Sequence, residues 1–120
     1  MDPAPMMKAA LVLLTLAALG GVAMGVIRLG RNANPSNWLA MLHGLLAAMG
    51  LSLLLYAYLI GGLPALAGWA LLAFLVAALG GAYLNLRYHA RAALLPKPMV
   101  VVHAVIAVAG YVLLLMAVVA

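Results

Sequence analysis

The sequence predicts an all-α protein, an integral membrane four-helix bundle made of two parallel two-helix repeats. Three observations predict it: the composition, four apolar stretches of membrane-spanning length, and a pattern that recurs after 60 positions. Hydrophobic residues make up 71% of the 120 residues and charged residues 6%, with a mean hydropathy of +1.31. A soluble domain needs far more polar surface than this. We therefore expect residues 1–120 to form one transmembrane domain in a lipid bilayer.

The composition also excludes several classes of site and partner. The chain has no cysteine, which excludes disulfides, thiolate metal sites, iron–sulfur clusters and covalently attached haem. The net charge of +5 is typical of nucleic-acid binding in a soluble protein. Here the basic residues lie at the ends of apolar runs, so they indicate membrane topology and no nucleic-acid partner.

Four apolar stretches are each long enough for a bilayer, which takes about 20 residues of helix. The predicted spans are 7–28, 38–60, 65–87 and 98–119. Between them lie segment 34–37, with turn residues and a helix N-cap, the Gly-Gly-Leu-Pro turn at 61–64, and the prolines 96 and 98. Because the connections are short, successive helices are expected to be antiparallel neighbours.

The basic residues predict the orientation of the bundle in the membrane. The first connection contains Arg28 and Arg31, the third contains Arg87, Arg91 and Lys97, and the second contains no charge. Cytoplasmic loops are enriched in Lys and Arg. We expect connections one and three in the cytoplasm and both chain ends outside, in a bacterial inner membrane.

The two halves of the chain align without a gap when one is shifted by 60 positions, residues 8–60 on 68–120. The most informative matches are Gly20-Gly21 on Gly80-Gly81, Arg31 on Arg91, His43 on His103, Ala47 on Ala107, and Gly50 on Gly110. Each half contains two spans, which predicts a parallel repeat about a pseudo-twofold axis along the membrane normal. Signal-peptide cleavage would destroy this symmetry, so we expect the first span to be retained.

The repeat places His43 and His103 at equal depth on the second and fourth helices, about 9 Å below the cytoplasmic edge. Small residues follow each histidine on the same helix face, at positions i+4 and i+7: Ala47 and Gly50 in the first half, Ala107 and Gly110 in the second. Such a strip leaves room for a flat macrocycle, and we expect a haem there, with the two histidines as metal ligands.

The glycine pairs and three arginines complete the predicted site. Gly20-Gly21 and Gly80-Gly81 are expected at the depth of the histidines, where the first and third helices become thin. Arg28, Arg31 and Arg91 lie at the nearby cytoplasmic boundary, where they would pair with haem propionates.

The small residues and the histidines can also be interpreted without a cofactor. Small residues in membrane helices mark close helix packing, and an intramembrane histidine can simply hydrogen-bond a neighbouring helix. His89, in the third connection, is interpreted as an interfacial residue because its repeat counterpart is Leu29.

The patterns His43-x-x-x-Ala47-x-x-Gly50 and His103-x-x-x-Ala107-x-x-Gly110 resemble those of membrane b-type cytochromes built on four-helix bundles. That resemblance implies one non-covalent b-type haem with His43 and His103 as axial ligands. Members of the cytochrome b561 type hold two haems with four histidines, whereas this chain has one intramembrane pair. Two axial histidines leave no open iron site, which implies electron transfer rather than a stand-alone enzyme. A quinone or a partner redox protein would complete the path.

Three other functions remain open. The chain is alternatively a non-haem accessory subunit that packs against a larger membrane complex through the same glycines. A small transporter is a third candidate because repeats of this kind build transporters, although the only acidic residue is Asp2. A simple two-histidine metal site is the weakest candidate, since no carboxylate or thiol completes the shell.

Overall fold

The computed structural model describes residues 2–120 and confirms an all-helical fold. Each of its four α-helices is long and apolar enough to cross a membrane. Their bounds differ from the predicted spans by at most three residues. The helices are α1 (Ala4–Gly30), α2 (Asn37–Gly61), α3 (Ala65–Arg87) and α4 (Lys97–Val119), with a single 3-10 turn at His89–Arg91 before α4.

Prolines mark the start of three helices. Pro3, Pro64 and Pro96 occupy the position before α1, α3 and α4. A proline is well tolerated there because the first helical turn has no partner for its N–H groups. Ser36, within the segment 34–37 that was expected to contain an N-cap, occupies the corresponding position before α2, but its hydroxyl makes no capping hydrogen bond.

The helices form an elongated bundle in which each packs mainly against two neighbours. Helices α1 and α3 each contact both α2 and α4, and the closest contacts are within each half of the chain. The two histidine-bearing helices, α2 and α4, therefore lie on one diagonal. The bundle measures 46 × 20 × 19 Å, and its long axis is close to the thickness of a bilayer with its head groups, about 40–45 Å.

The outer surface of the bundle is apolar. Leu19, Val26 and Leu79 expose more than half of their side chains. Soluble proteins rarely expose apolar surface that extends over four helices. Trp38 and Trp69 are also exposed, near the starts of α2 and α3, where aromatic rings suit the membrane interface. The chain is an integral membrane protein.

The large apolar side chains of the core are concentrated near connection two and the chain ends. This cluster includes Leu14, Leu54, Phe74 and Leu114. Ala17 and Ala77 are buried near the middle of α1 and α3, and the half near connections one and three buries Leu84, Leu95 and the polar side chains of Arg28 and His89. Burial also repeats between the halves, since residues 41–50 and 101–110 have the same pattern position by position. The two histidines lie in the half of the bundle near connections one and three.

Candidate functional site

His43 and His103 meet across the diagonal of the bundle. Each is the sixth residue after the first residue of its helix, so both lie at the same depth. Their ring centres are 6.3 Å apart and their planes are inclined by 78°. The two side chains that the repeat singled out are therefore brought together.

The orientation of the His43 ring is set by a hydrogen bond to α1. Nδ1 of His43 lies 2.7 Å from the carbonyl oxygen of Ala17. Because a carbonyl oxygen can only accept, Nδ1 carries the proton and donates. In the neutral ring Nε2 then keeps its lone pair. Histidines that bind metals are oriented in this same way, by a hydrogen bond from the other ring nitrogen.

The glycine pairs lie directly against the imidazoles, at the depth predicted from the sequence. A Cβ atom added to Gly21 would be 3.0 Å from Cε1 of His43, and one added to Gly81 would be 3.0 Å from Cε1 of His103. Gly20 and Gly80 face the same two side chains at 3.7 and 3.8 Å. The missing side chains of α1 and α3 thus make room for the histidine rings themselves.

His103 is held less firmly than His43. Its Nδ1 is buried and has no hydrogen-bond partner. The carbonyl of Ala77, the repeat counterpart of Ala17, is close but does not complete a hydrogen bond. The ring is also turned differently, because the atom nearest Gly80 is Nδ1, whereas the atom of His43 nearest Gly20 is Cβ. The repeat is therefore symmetric in position and asymmetric in hydrogen bonding.

Gly50 and Gly110 do not face the space between the histidines. A Cβ on Gly50 would be 2.6 Å from Cγ of Leu14, and one on Gly110 would be 3.2 Å from the ring of Phe74. These glycines admit large side chains of α1 and α3, so their missing side chains serve helix packing. That a macrocycle lies over these two glycines stays a prediction. Ala47 and Ala107, one turn from the histidines, are half-buried.

The three arginines predicted to meet propionates have different environments. Arg28 is buried and its guanidinium donates to the carbonyl oxygens of Leu95 at 2.8 Å and Arg31 at 2.9 Å. Its side chain therefore ties α1 to the third connection. Arg31 and Arg91 are exposed at the same end of the bundle, where they remain available to an anionic group.

A polar cluster joins the first and third connections, which sequence reasoning did not anticipate. His89, expected at the interface, is buried, and its Nε2 donates to the carbonyl oxygen of Pro35 at 2.8 Å. The amide of Asn34 bridges two backbone groups, donating to Ala93 at 2.7 Å and accepting from Leu95 at 3.0 Å. His89 is thus a structural residue.

A second polar contact between the halves lies within the membrane. Tyr111 of α4 and Thr15 of α1 share a hydrogen bond of 2.8 Å, and the Thr15 hydroxyl also donates to the carbonyl of Leu11. The repeat counterparts of Thr15 and Tyr111 are Leu75 and Leu51. Departures from the repeat were the available signal, since Thr15, Asn34, His89 and Tyr111 all break it.

A lateral crevice opens between α3 and α4 beside His103, with a volume of about 290 Å³. Gly80 and Ala77 form part of its α3 wall, and Val102 and Met99 form part of its α4 wall. Apart from His103, its lining is apolar. This crevice has no counterpart in the sequence-based expectations.

The donor set restricts the kind of group that the two histidines can hold. Within residues 2–120 there is no cluster of three or more His, Cys, Asp or Glu side chains. Two imidazoles alone leave most of a metal ion's coordination sphere unfilled. They suit a cofactor that brings its own equatorial ligands, as haem does. Comparison with protein-family models, curated proteins and solved structures gives no match for this chain.

Proposed function

We propose that this protein is a membrane b-type cytochrome that binds one haem non-covalently, with His43 and His103 as axial ligands. The observation that carries the proposal is the pairing of the two rings at 6.3 Å across the bundle. Two imidazoles that bind one metal ion from opposite sides, each at about 2 Å, have ring centres about 6 to 6.5 Å apart. The observed separation lies in that interval.

The environment of the rings also suits this role. The Ala17 carbonyl holds Nδ1 of His43 and leaves Nε2 free to ligate. Glycines of α1 and α3 lie against both rings, so these helices place no side chain there: Gly20, Gly21, Gly80 and Gly81. When bound, a bis-histidine haem supplies outer-sphere electron transfer. The chain's own residues orient the ligands and exclude water through four apolar helices.

Arg31 and Arg91 are the residues that we assign to the haem propionates. Both are exposed at the end of the bundle nearer the histidines, and guanidinium groups pair well with carboxylates. We place this end in the cytoplasm of a bacterial cell, because five of the six basic residues lie there: Arg28, Arg31, Arg87, Arg91 and Lys97. A quinone or a redox partner protein is the proposed electron donor or acceptor.

The ligand variants test the proposal. His43→Ala and His103→Ala should each abolish the low-spin bis-histidine spectrum while the protein still inserts into the membrane. His89→Gln is the matched control, because glutamine retains a donor for the Pro35 carbonyl. Haem per folded protein should stay normal in this control. Equal haem content and equal spectra in all three variants would exclude the assignment.

A second candidate function is a non-haem accessory subunit of a larger membrane complex. One observation favours it: Leu14 and Phe74 occupy the space beside Gly50 and Gly110, so the bundle packs closely without any cofactor. A protein that is folded and colourless after expression with ample haem would support this function over the first.

A further inference from the structure

The two histidines differ in what holds them, and this difference has a chemical consequence if they ligate a haem. We infer that His103 is the exchangeable ligand of the pair, and that a small neutral diatomic molecule, such as carbon monoxide, can take its place on the iron. This inference rests on the proposed function, since it concerns the same two residues.

The two histidines differ in the hydrogen bonding of Nδ1. His43 is anchored through Nδ1 to the Ala17 carbonyl, whereas Nδ1 of His103 is buried beside the Ala77 carbonyl without completing the equivalent hydrogen bond. A second-shell hydrogen bond fixes the ring and raises the basicity of the ligating nitrogen. A typical net hydrogen bond corresponds to roughly a 2- to 10-fold preference. His103 therefore dissociates from a metal more readily than His43.

His103 also has a space into which its ring can move. The 290 Å³ crevice is lined by His103 itself, next to Gly80. The crevice is the open space beside the ring, into which we expect the imidazole to rotate when it leaves the metal. Two side chains that line the crevice, Val76 and Val102, are smaller than their counterparts in the first half. Those counterparts are Leu16 and Leu42.

The crevice also gives small molecules in the bilayer access to His103. The crevice opens laterally between α3 and α4, and its lining is almost wholly apolar. Small neutral diatomic molecules dissolve in the bilayer and reach such an opening without crossing a polar barrier. In a haem-loaded protein, His103 would release the iron through its Nε2 and the diatomic molecule would take its place, a ligand substitution without electron transfer.

Carbon monoxide binding to the reduced holoprotein tests this inference. The purified protein in lipid nanodiscs is reduced with dithionite under argon and mixed with carbon monoxide, and the Soret band is followed. The wild type should form the carbon monoxide adduct. The double variant Val76→Leu/Val102→Leu, which gives the crevice the residues of the first half, should bind carbon monoxide more slowly than the wild type, because the larger side chains fill the space beside His103.

Leu42→Val is the matched control in the first half of the chain. It should leave the rate unchanged, because His43 remains anchored to Ala17. Carbon monoxide binding that is absent from the wild type, or unaffected by the crevice variant, would overturn the inference while leaving the haem assignment intact. A rate that responds to Leu42→Val instead would identify His43 as the exchangeable ligand and also overturn it. A wild-type protein without a Soret band overturns both proposals.

Discussion

Gly21 and Gly81 are the residues on which the position of the two imidazoles depends most directly. Each lies so close to a histidine ring that an added methyl group would be 3.0 Å from Cε1, tighter than an ordinary van der Waals contact. Alanine at either position would push the ring away by a few tenths of an ångström. The same shift would misplace Nε2 relative to a metal.

The first prediction follows for Gly21→Ala and Gly81→Ala. Overpacking a tight site costs about 1–3 kcal/mol, which corresponds to roughly a 5- to 150-fold loss of haem affinity. Gly25→Ala is the matched control in the same helix, because no atom lies within 4 Å of its added Cβ. Haem titration of the folded apoprotein measures the effect. Equal affinities for Gly21→Ala and Gly25→Ala would mean that the ring position does not matter for binding.

Residue identities alone were enough to predict the histidine pair and the depth of the glycines. The repeat identified His43 and His103, and helix geometry placed Gly20-Gly21 and Gly80-Gly81 at their level. The hydrogen bond to Ala17 was not predictable, because backbone carbonyls carry no sequence signal. The burial of His89 was missed for a related reason, since its partner is the carbonyl of Pro35.

At the scale of the helices, the close contacts between α1 and α2 and between α3 and α4 depend on Gly50 and Gly110. Periodicity alone placed these glycines on the histidine face. The structure shows that this face turns toward α1 or α3 two turns further along the helix, where Leu14 and Phe74 fill the space. Spacing of i+7 indicates a shared face of a helix, but it does not indicate which neighbour that face meets.

The second prediction concerns Gly50→Ala. Its new methyl group would be 2.6 Å from Cγ of Leu14 and 3.3 Å from the backbone oxygen of Ala10, so either the buried Leu14 side chain must move or α1 and α2 must separate. We expect the free energy of unfolding to fall by about 1–3 kcal/mol. Unfolding by SDS in mixed micelles measures the loss.

Gly44→Ala provides the control for that experiment. It lies in the same helix with no atom within 4 Å of the added Cβ, and alanine favours a helix over glycine by about 0.5–1 kcal/mol. This variant should be as stable as the wild type or slightly more stable. If Gly50→Ala unfolded no more easily than Gly44→Ala, the packing role of Gly50 would be wrong.

On the scale of the whole molecule, side chains that break the repeat hold the two halves together. Thr15 bonds to Tyr111, Arg28 and Asn34 bond to the third connection, and His89 bonds to the first. The residues that recur in both halves form the histidine site. The residues that break the repeat hold the two halves in their relative position. Sequence reasoning missed these contacts because they have no counterpart in the other half.

The third prediction is the orientation of the bundle in the membrane. Connections one and three, which contain five of the six basic residues, should lie in the cytoplasm because the positive-inside rule counts Lys and Arg near the ends of spans. Single cysteines introduced at two exposed positions, Asn32 in the first connection and Ala65 at the start of α3, report this in intact cells. An impermeant maleimide should label the second and not the first. The reverse pattern would place the histidines near the outer face.

The proposed function depends most on the presence of a haem between His43 and His103, and the fourth prediction addresses it directly. The decisive measurement is the reduced-minus-oxidised absorption spectrum of the wild-type protein, purified from haem-sufficient cells, together with its haem stoichiometry. We expect the sharp α and β bands of a low-spin bis-histidine b-type haem, with one haem per chain. A folded four-helix protein that contains no haem, and takes none up when haem is added, would contradict the account.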